Sequence, residues 1–189
     1  MSNKAILKIS VTGVSLALII IVQFLGKILP PGFSIFGPFS LNQLVIGSFV
    51  NMILILLTTK FGIYCAAATG ALSSVMAFLL QIGPIFPQIV AFISISNIIF
   101  VLVFYLISII YNSKNKKYIL VLGVVVSAII KFLFLKLTIP WSLNIIKDIT
   151  KTQIQVLTVM FSWPQLVTAL TGGFLALFIK KRLFINKTN

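Results

Sequence analysis

The sequence predicts an all-α integral membrane protein, a bundle of six transmembrane helices with both termini cytoplasmic and an apolar outer loop after the first helix. Three observations predict it. Of 189 residues, 60% are hydrophobic and only 8% charged, against about 25% charged in a soluble domain. Mean hydropathy is +1.20, so the chain cannot present a solvated surface all round, and the bilayer is its solvent. The apolar residues fall in runs of bilayer length. At roughly 20 residues per span, six runs use about 120 residues and leave room for one transmembrane domain and no soluble one.

The first span, 5–29, ends before Pro30-Pro31-Gly32. Its length marks it as a retained span, since the apolar core of a signal peptide is shorter. The following loop, 30–40, carries Gly32, Gly37, Pro38 and three Phe. Pro and Gly break the helix there, and so apolar a connector is expected to pack on protein or dip into the membrane. Span 2, 41–59, is joined to span 3, 63–82, by Lys60-Phe61-Gly62 alone, which requires a tight antiparallel hairpin. Gly83-Pro84 and Pro87 punctuate the turn into span 4, 88–111. A basic segment, 112–117, precedes span 5, 118–139, which is expected to end at Pro140. A polar connection, 141–155, leads to span 6, 156–179, and a basic tail.

The net charge of +14 does not point to nucleic acid, because most Lys and Arg flank the apolar runs. There they set topology. With both termini inside, ten basic residues lie inside (Lys4, Lys8, Lys60, Lys114, Lys116, Lys117, Lys180, Lys181, Arg182, Lys187) and four outside (Lys27, Lys136, Lys147, Lys151). Cys65 is alone, so no intramolecular disulfide forms.

The remaining cation, Lys131, stands thirteen residues after Tyr118, roughly 20 Å along a helix. A Lys at that depth faces a bundle interior or a cavity, or snorkels outward past Lys136. No span holds a carboxylate, so carbonyls or Asn and Gln side chains must receive its ammonium when no ligand is present. The candidates are Asn42, Gln43 and Asn51 in span 2, Gln81 and Gln88 at the outer turn, Asn97 in span 4 and Gln165 in span 6. Each amide could serve as helix–helix glue. Together, with aromatic walls from Phe36, Phe39, Phe86, Trp141 and Trp163, they suggest a ligand pocket. Gly13 and Ala17 make a small-xxx-small pattern in span 1 that admits a close partner helix.

The chain lacks the residues of most membrane chemistry. It has no His and one acidic residue, Asp148. Intramembrane aspartyl, metallo and His-dependent serine hydrolases are excluded, and no phosphate-binding glycine motif is present. The expectation is a binding or transport protein, not an enzyme, with no cofactor and no metal.

These features resemble the substrate-binding S-component of an energy-coupling factor (ECF) vitamin transporter of a low-GC bacterium. The likeness covers nearly the whole chain. It rests on length, span count and orientation, and on Gly13-xxx-Ala17, Gly47-Ser48-Phe49-Val50-Asn51, Ser96-Asn97, Ser162-Trp163-Pro164-Gln165 and Gly172-Gly173. The resemblance implies a multi-pass protein of the bacterial plasma membrane that binds a water-soluble vitamin or related small molecule near the outer face. The loop after span 1 would cap it. Gly13 and Ala17 would dock on a transmembrane coupling subunit carrying two ATPase subunits, and toppling would release the cargo inside. On this reading the substrate residues are Lys131, Asn51, Asn97, Gln43, Gln88, Trp163, Gln165 and Phe39. The acidic residue and Trp-rich loop of the thiamine branch are missing, as is the N-terminal His of the nickel and cobalt branch. The alternative is a structural or regulatory membrane subunit with no small-molecule site.

Overall fold

The structure is a computed structural model that describes residues 3–28, 34–36, 39–83, 86–114, 118–146 and 149–184. Its elements are α1 (Asn3–Ile28), β1 (Ser34–Phe36), β2 (Phe39–Ser40), α2 (Leu41–Phe61), α3 (Ile63–Leu79), α4 (Pro87–Lys114), α5 (Tyr118–Leu143), α6 (Lys151–Met160) and α7 (Trp163–Phe184). Among the described residues the fold is helical apart from one small antiparallel pairing in the loop after α1, with Ser34 opposite Ser40 and Phe36 opposite Phe39. Five helical stretches among the described residues are long and apolar enough to cross a membrane, counting 151–180 as one; α3, with 17 residues, is shorter. Each of the six apolar runs is helical over most of its described length.

Most ends shift by a few residues, with α3 stopping at Leu79 and α4 running on to Lys114, and two differences involve a proline. Pro140 does not end α5, which runs on to Leu143. The cost of a proline, one lost N–H bond and a clash with the preceding turn, is smaller this close to a helix end. The last run is also not one helix. It breaks at Phe161-Ser162, leaving α6 before and α7 after. Pro164 explains the break, because a proline is tolerated in the first turn of a helix and not in its interior. The 141–155 connection contains the start of α6. Thr150 caps it, accepting from the Gln153 backbone N–H at 3.2 Å while Gln153 Oε1 accepts from the Thr150 N–H at 3.0 Å. This reciprocal pair satisfies two otherwise orphaned donors.

Consecutive long helices run antiparallel. Only Gly62 separates α2 from α3, at φ +88°, a left-handed conformation that glycine adopts without steric cost. The most extensive packing is α4 on α5, α2 on α7 and α3 on α4. Apolar burial alone does not drive helices together in lipid, so close approach matters more. Glycines provide it. A Cβ on Gly172 would collide with the Ser48 carbonyl oxygen and come within 2.9 Å of Asn51 Cβ. A Cβ on Gly173 would collide with Val124. Helix α1 is peripheral, with Ile19 its one buried residue among those described.

Three apolar clusters fill the bundle. One, built on Ile55, Phe100, Phe104, Val124 and Ala169, occupies the half between α2, α4, α5 and α7 that holds the Lys60 and Lys180 ends. A second joins Ile19 to Leu54, Ala66 and Val101. The third, Ile89, Leu135, Ile139, Leu143 and Phe161, lies at the opposite end, where α6 closes on α4 and α5. Between the first and third clusters the helices part around a cavity.

Candidate functional site

The site is built on three buried polar residues from three helices. Lys131 on α5 is 3% exposed, Asn51 on α2 2% and Asn97 on α4 4%. The Lys131 Nζ donates to Asn51 Oδ1 at 2.8 Å and to Asn97 Oδ1 at 2.7 Å. It also stands 5.2 Å from the centre of the Phe100 ring, a favourable place for a cation. It does not snorkel.

The amides are aimed by backbone carbonyls. Asn51 Nδ2 donates to the Gly47 carbonyl at 2.8 Å, and Asn97 Nδ2 to the Gly70 carbonyl at 3.1 Å. With their N–H groups so engaged, both amides turn oxygen toward the lysine. Gly47 and Gly70 are also contact points between helices. A Cβ on Gly47 would come within 2.9 Å of Thr168 on α7, and one on Gly70 within 3.1 Å of Asn97. Ser74 and Thr168 complete the network, accepting from Asn97 at 3.3 Å and Asn51 at 3.5 Å. Four helices other than α5 therefore fix one lysine, and each polar atom mentioned has a partner, as burial requires.

Lys131, Asn51 and Asn97 lie at the floor of a cavity of about 600 Å³, within the usual range for small-molecule sites. Its walls are apolar: Ile46 and Val50 from α2, Ile93 from α4, and Leu157, Met160 and Phe161 from α6 and its end. Nearer the mouth stand the amides Asn42, Gln43, Gln81 and Gln165. Helix α1 adds Gln23 and Lys27, four residues apart on one face, and Gly26, where a Cβ would collide with the Ile46 side chain. The first apolar cluster lies past the floor, so the cavity is a blind pocket entered from one end.

At the mouth the turn after α3 is held in a Schellman arrangement, with the Ile82 N–H on the Ala77 carbonyl at 2.9 Å and the Gln81 N–H on Phe78 at 3.0 Å. Its left-handed position is normally glycine; here it is Gln81 at φ 55°. The Lys27 Nζ donates to the Gln81 carbonyl at 3.1 Å, tying α1 to this turn. A non-glycine residue in this conformation costs about 1 kcal/mol, and such strain collects at functional positions. Replacing Gln81 with Gly is expected to raise unfolding stability by up to about 1 kcal/mol, since the lysine bond goes to backbone and survives. Thermal unfolding in detergent measures this, and a fall in stability would contradict it.

The structure brings together Lys131, Asn51, Asn97, Gln43 and Gln165 at this cavity, with Phe86 as an aromatic wall. It does not bring Gln88 or Trp163 there. Gln88 is exposed on the first turn of α4. Trp163, at 36% exposure, opens α7, and the break before it turns the indole out of the lining. Trp141 is also exposed, packed edge-on to Phe92 at 6.2 Å. Phe36 and Phe39 fall in the short strands, and their side chains lie outside the described residues. Gly13 and Ala17 are exposed on α1, with nothing within 4 Å of a Cβ built on Gly13. Sequence reasoning missed Gln23, Lys27, Ser73 and Ser74. The one signal for Gln23 and Lys27 was their spacing of four, which puts both on one helical face.

Comparison with protein-family models, with curated proteins and with solved structures finds no match for this chain.

Proposed function

We propose that this chain is the substrate-binding membrane subunit of an ECF-type importer in a bacterial plasma membrane, oriented with the cavity outward. The observation that carries the reading is the blind cavity with the Lys131 ammonium at its floor. Its proportions suit a vitamin-sized molecule, with apolar walls and a few placed polar groups. The cavity opens at the end with fewer positive charges, which the positive-inside rule puts outside. Its floor is sealed by an apolar cluster, which favours a carrier that must move as a body over a channel. The exposed Gly13–Ala17 face of α1 would let a coupling subunit, itself bound to two ATPase subunits, approach closely.

Two experiments test the proposal. A thermal-shift screen of the purified protein against water-soluble vitamins should find one that stabilises it, because a ligand at 100 times its Kd adds about 2.7 kcal/mol. In cells, Gly13→Leu and Ala17→Leu should leave that stabilisation intact and abolish uptake of the same compound. Normal uptake by both variants would remove the docking role.

A further inference from the structure

We infer that the ligand of this cavity is an organic monocarboxylate with an otherwise uncharged body, its acid group meeting Lys131. The inference rests on the binding role proposed above and adds the chemical class of the ligand.

The floor carries the argument. An ammonium has three N–H donors. Two are taken by Asn51 Oδ1 and Asn97 Oδ1, leaving one for the cavity or the Phe100 ring face. The amide N–H groups of Asn51 and Asn97 are engaged by the Gly47 and Gly70 carbonyls. The floor therefore offers one positive charge and one donor, held by neutral dipoles. No described lining residue is acidic. Asp148, the one acidic residue of the chain, lies outside the described residues. A single carboxylate matches this stoichiometry, supplying the counter-charge a buried cation lacks. A phosphate monoester does not. It carries up to two charges and three acceptor oxygens, and such groups call for several donors or an Arg fork.

The walls describe the rest of the molecule. Beyond the floor the lining is apolar, amide or hydroxyl except for Lys27 at the mouth, and Gln23 Oε1 is buried with no partner among the described residues. Gln23 lines the cavity, so this unpaired acceptor could meet an N–H or O–H of an uncharged body after a side-chain rotation. Lys27 at the mouth adds a second positive charge that favours entry of anions.

The test uses matched pairs on the full chain in lipid nanodiscs, read by calorimetry. The probes are biotin and biotinamide, pantothenate and panthenol, nicotinate and nicotinamide, and pyridoxine with its phosphate. In at least one pair the carboxylate should bind about 10- to 100-fold more tightly than its neutral partner. Lys131→Gln should bring the two members of that pair to within about threefold of each other. The wild-type comparison decides even if that variant does not fold. Equal or tighter binding of the neutral members, or tightest binding of the phosphate, overturns the inference and leaves the cavity a binding site. A carboxylate preference that persists in Lys131→Gln also overturns it. Failure of every probe on a protein that also carries no co-purified small molecule ends both this inference and the proposed function.

Discussion

Replacing Lys131 with Met is expected to lower ligand affinity by about 10- to 100-fold, the worth of a hydrogen bond made by a charged group. The chain should still insert. The substitution leaves Asn51 Oδ1 and Asn97 Oδ1 buried without their lysine donor, at about 1–3 kcal/mol each. Removing a buried charge offsets part of that. A triple variant, Asn51→Leu with Asn97→Leu and Lys131→Met, should recover stability, because an apolar core of similar volume replaces the whole polar cluster. It should not recover binding. Helix–helix glue and ligand site thus predict opposite outcomes for this variant. If the cluster is glue alone, the triple variant is both stable and fully active. Calorimetry and thermal unfolding on the same samples separate the two.

The largest effect on the fold is expected at Gly172. A Cβ there meets backbone, the Ser48 carbonyl and the Met52 nitrogen, the latter at 2.9 Å. Backbone cannot rotate aside as a side chain can. Gly172→Val should cost about 3 kcal/mol by forcing α7 off α2, a fall in unfolding temperature on the order of 10 °C. It should also weaken binding, because Asn51 Cβ lies within 2.9 Å of the same point. Gly13→Val is the control, since the space around it is open. Equal stability of the two variants in thermal unfolding would contradict this account of the α2–α7 contact.

The floor of the site was legible in the sequence because an amide or ammonium inside an apolar run has no solvent to turn to. Lys131, Asn51 and Asn97 had to find one another or a ligand, and they converge as that requirement demands. The hairpin at Gly62 was equally legible, since no other connector is short enough. The mouth was less so. Lys27 sits at the end of an apolar run, where a lysine reads as a topology signal. Gln23 lies in a helix apolar nearly all round, so no periodicity marks its inward face. Trp163 and Gln88 were misplaced for the opposite reason. Residues in a first helical turn change face when the start moves by one or two positions, and here α4 starts at Pro87 and the break at Phe161-Ser162 starts α7 at Trp163. Met160 and Phe161, at that break, line the wall.

Native mass spectrometry of the gently extracted protein, with Lys131→Met beside it, tests the central claim most directly. The account predicts a vitamin-sized adduct on the wild-type chain that is lost or strongly reduced on the variant. Lipid masses alone on the wild type, or an adduct retained equally by both proteins, would contradict it.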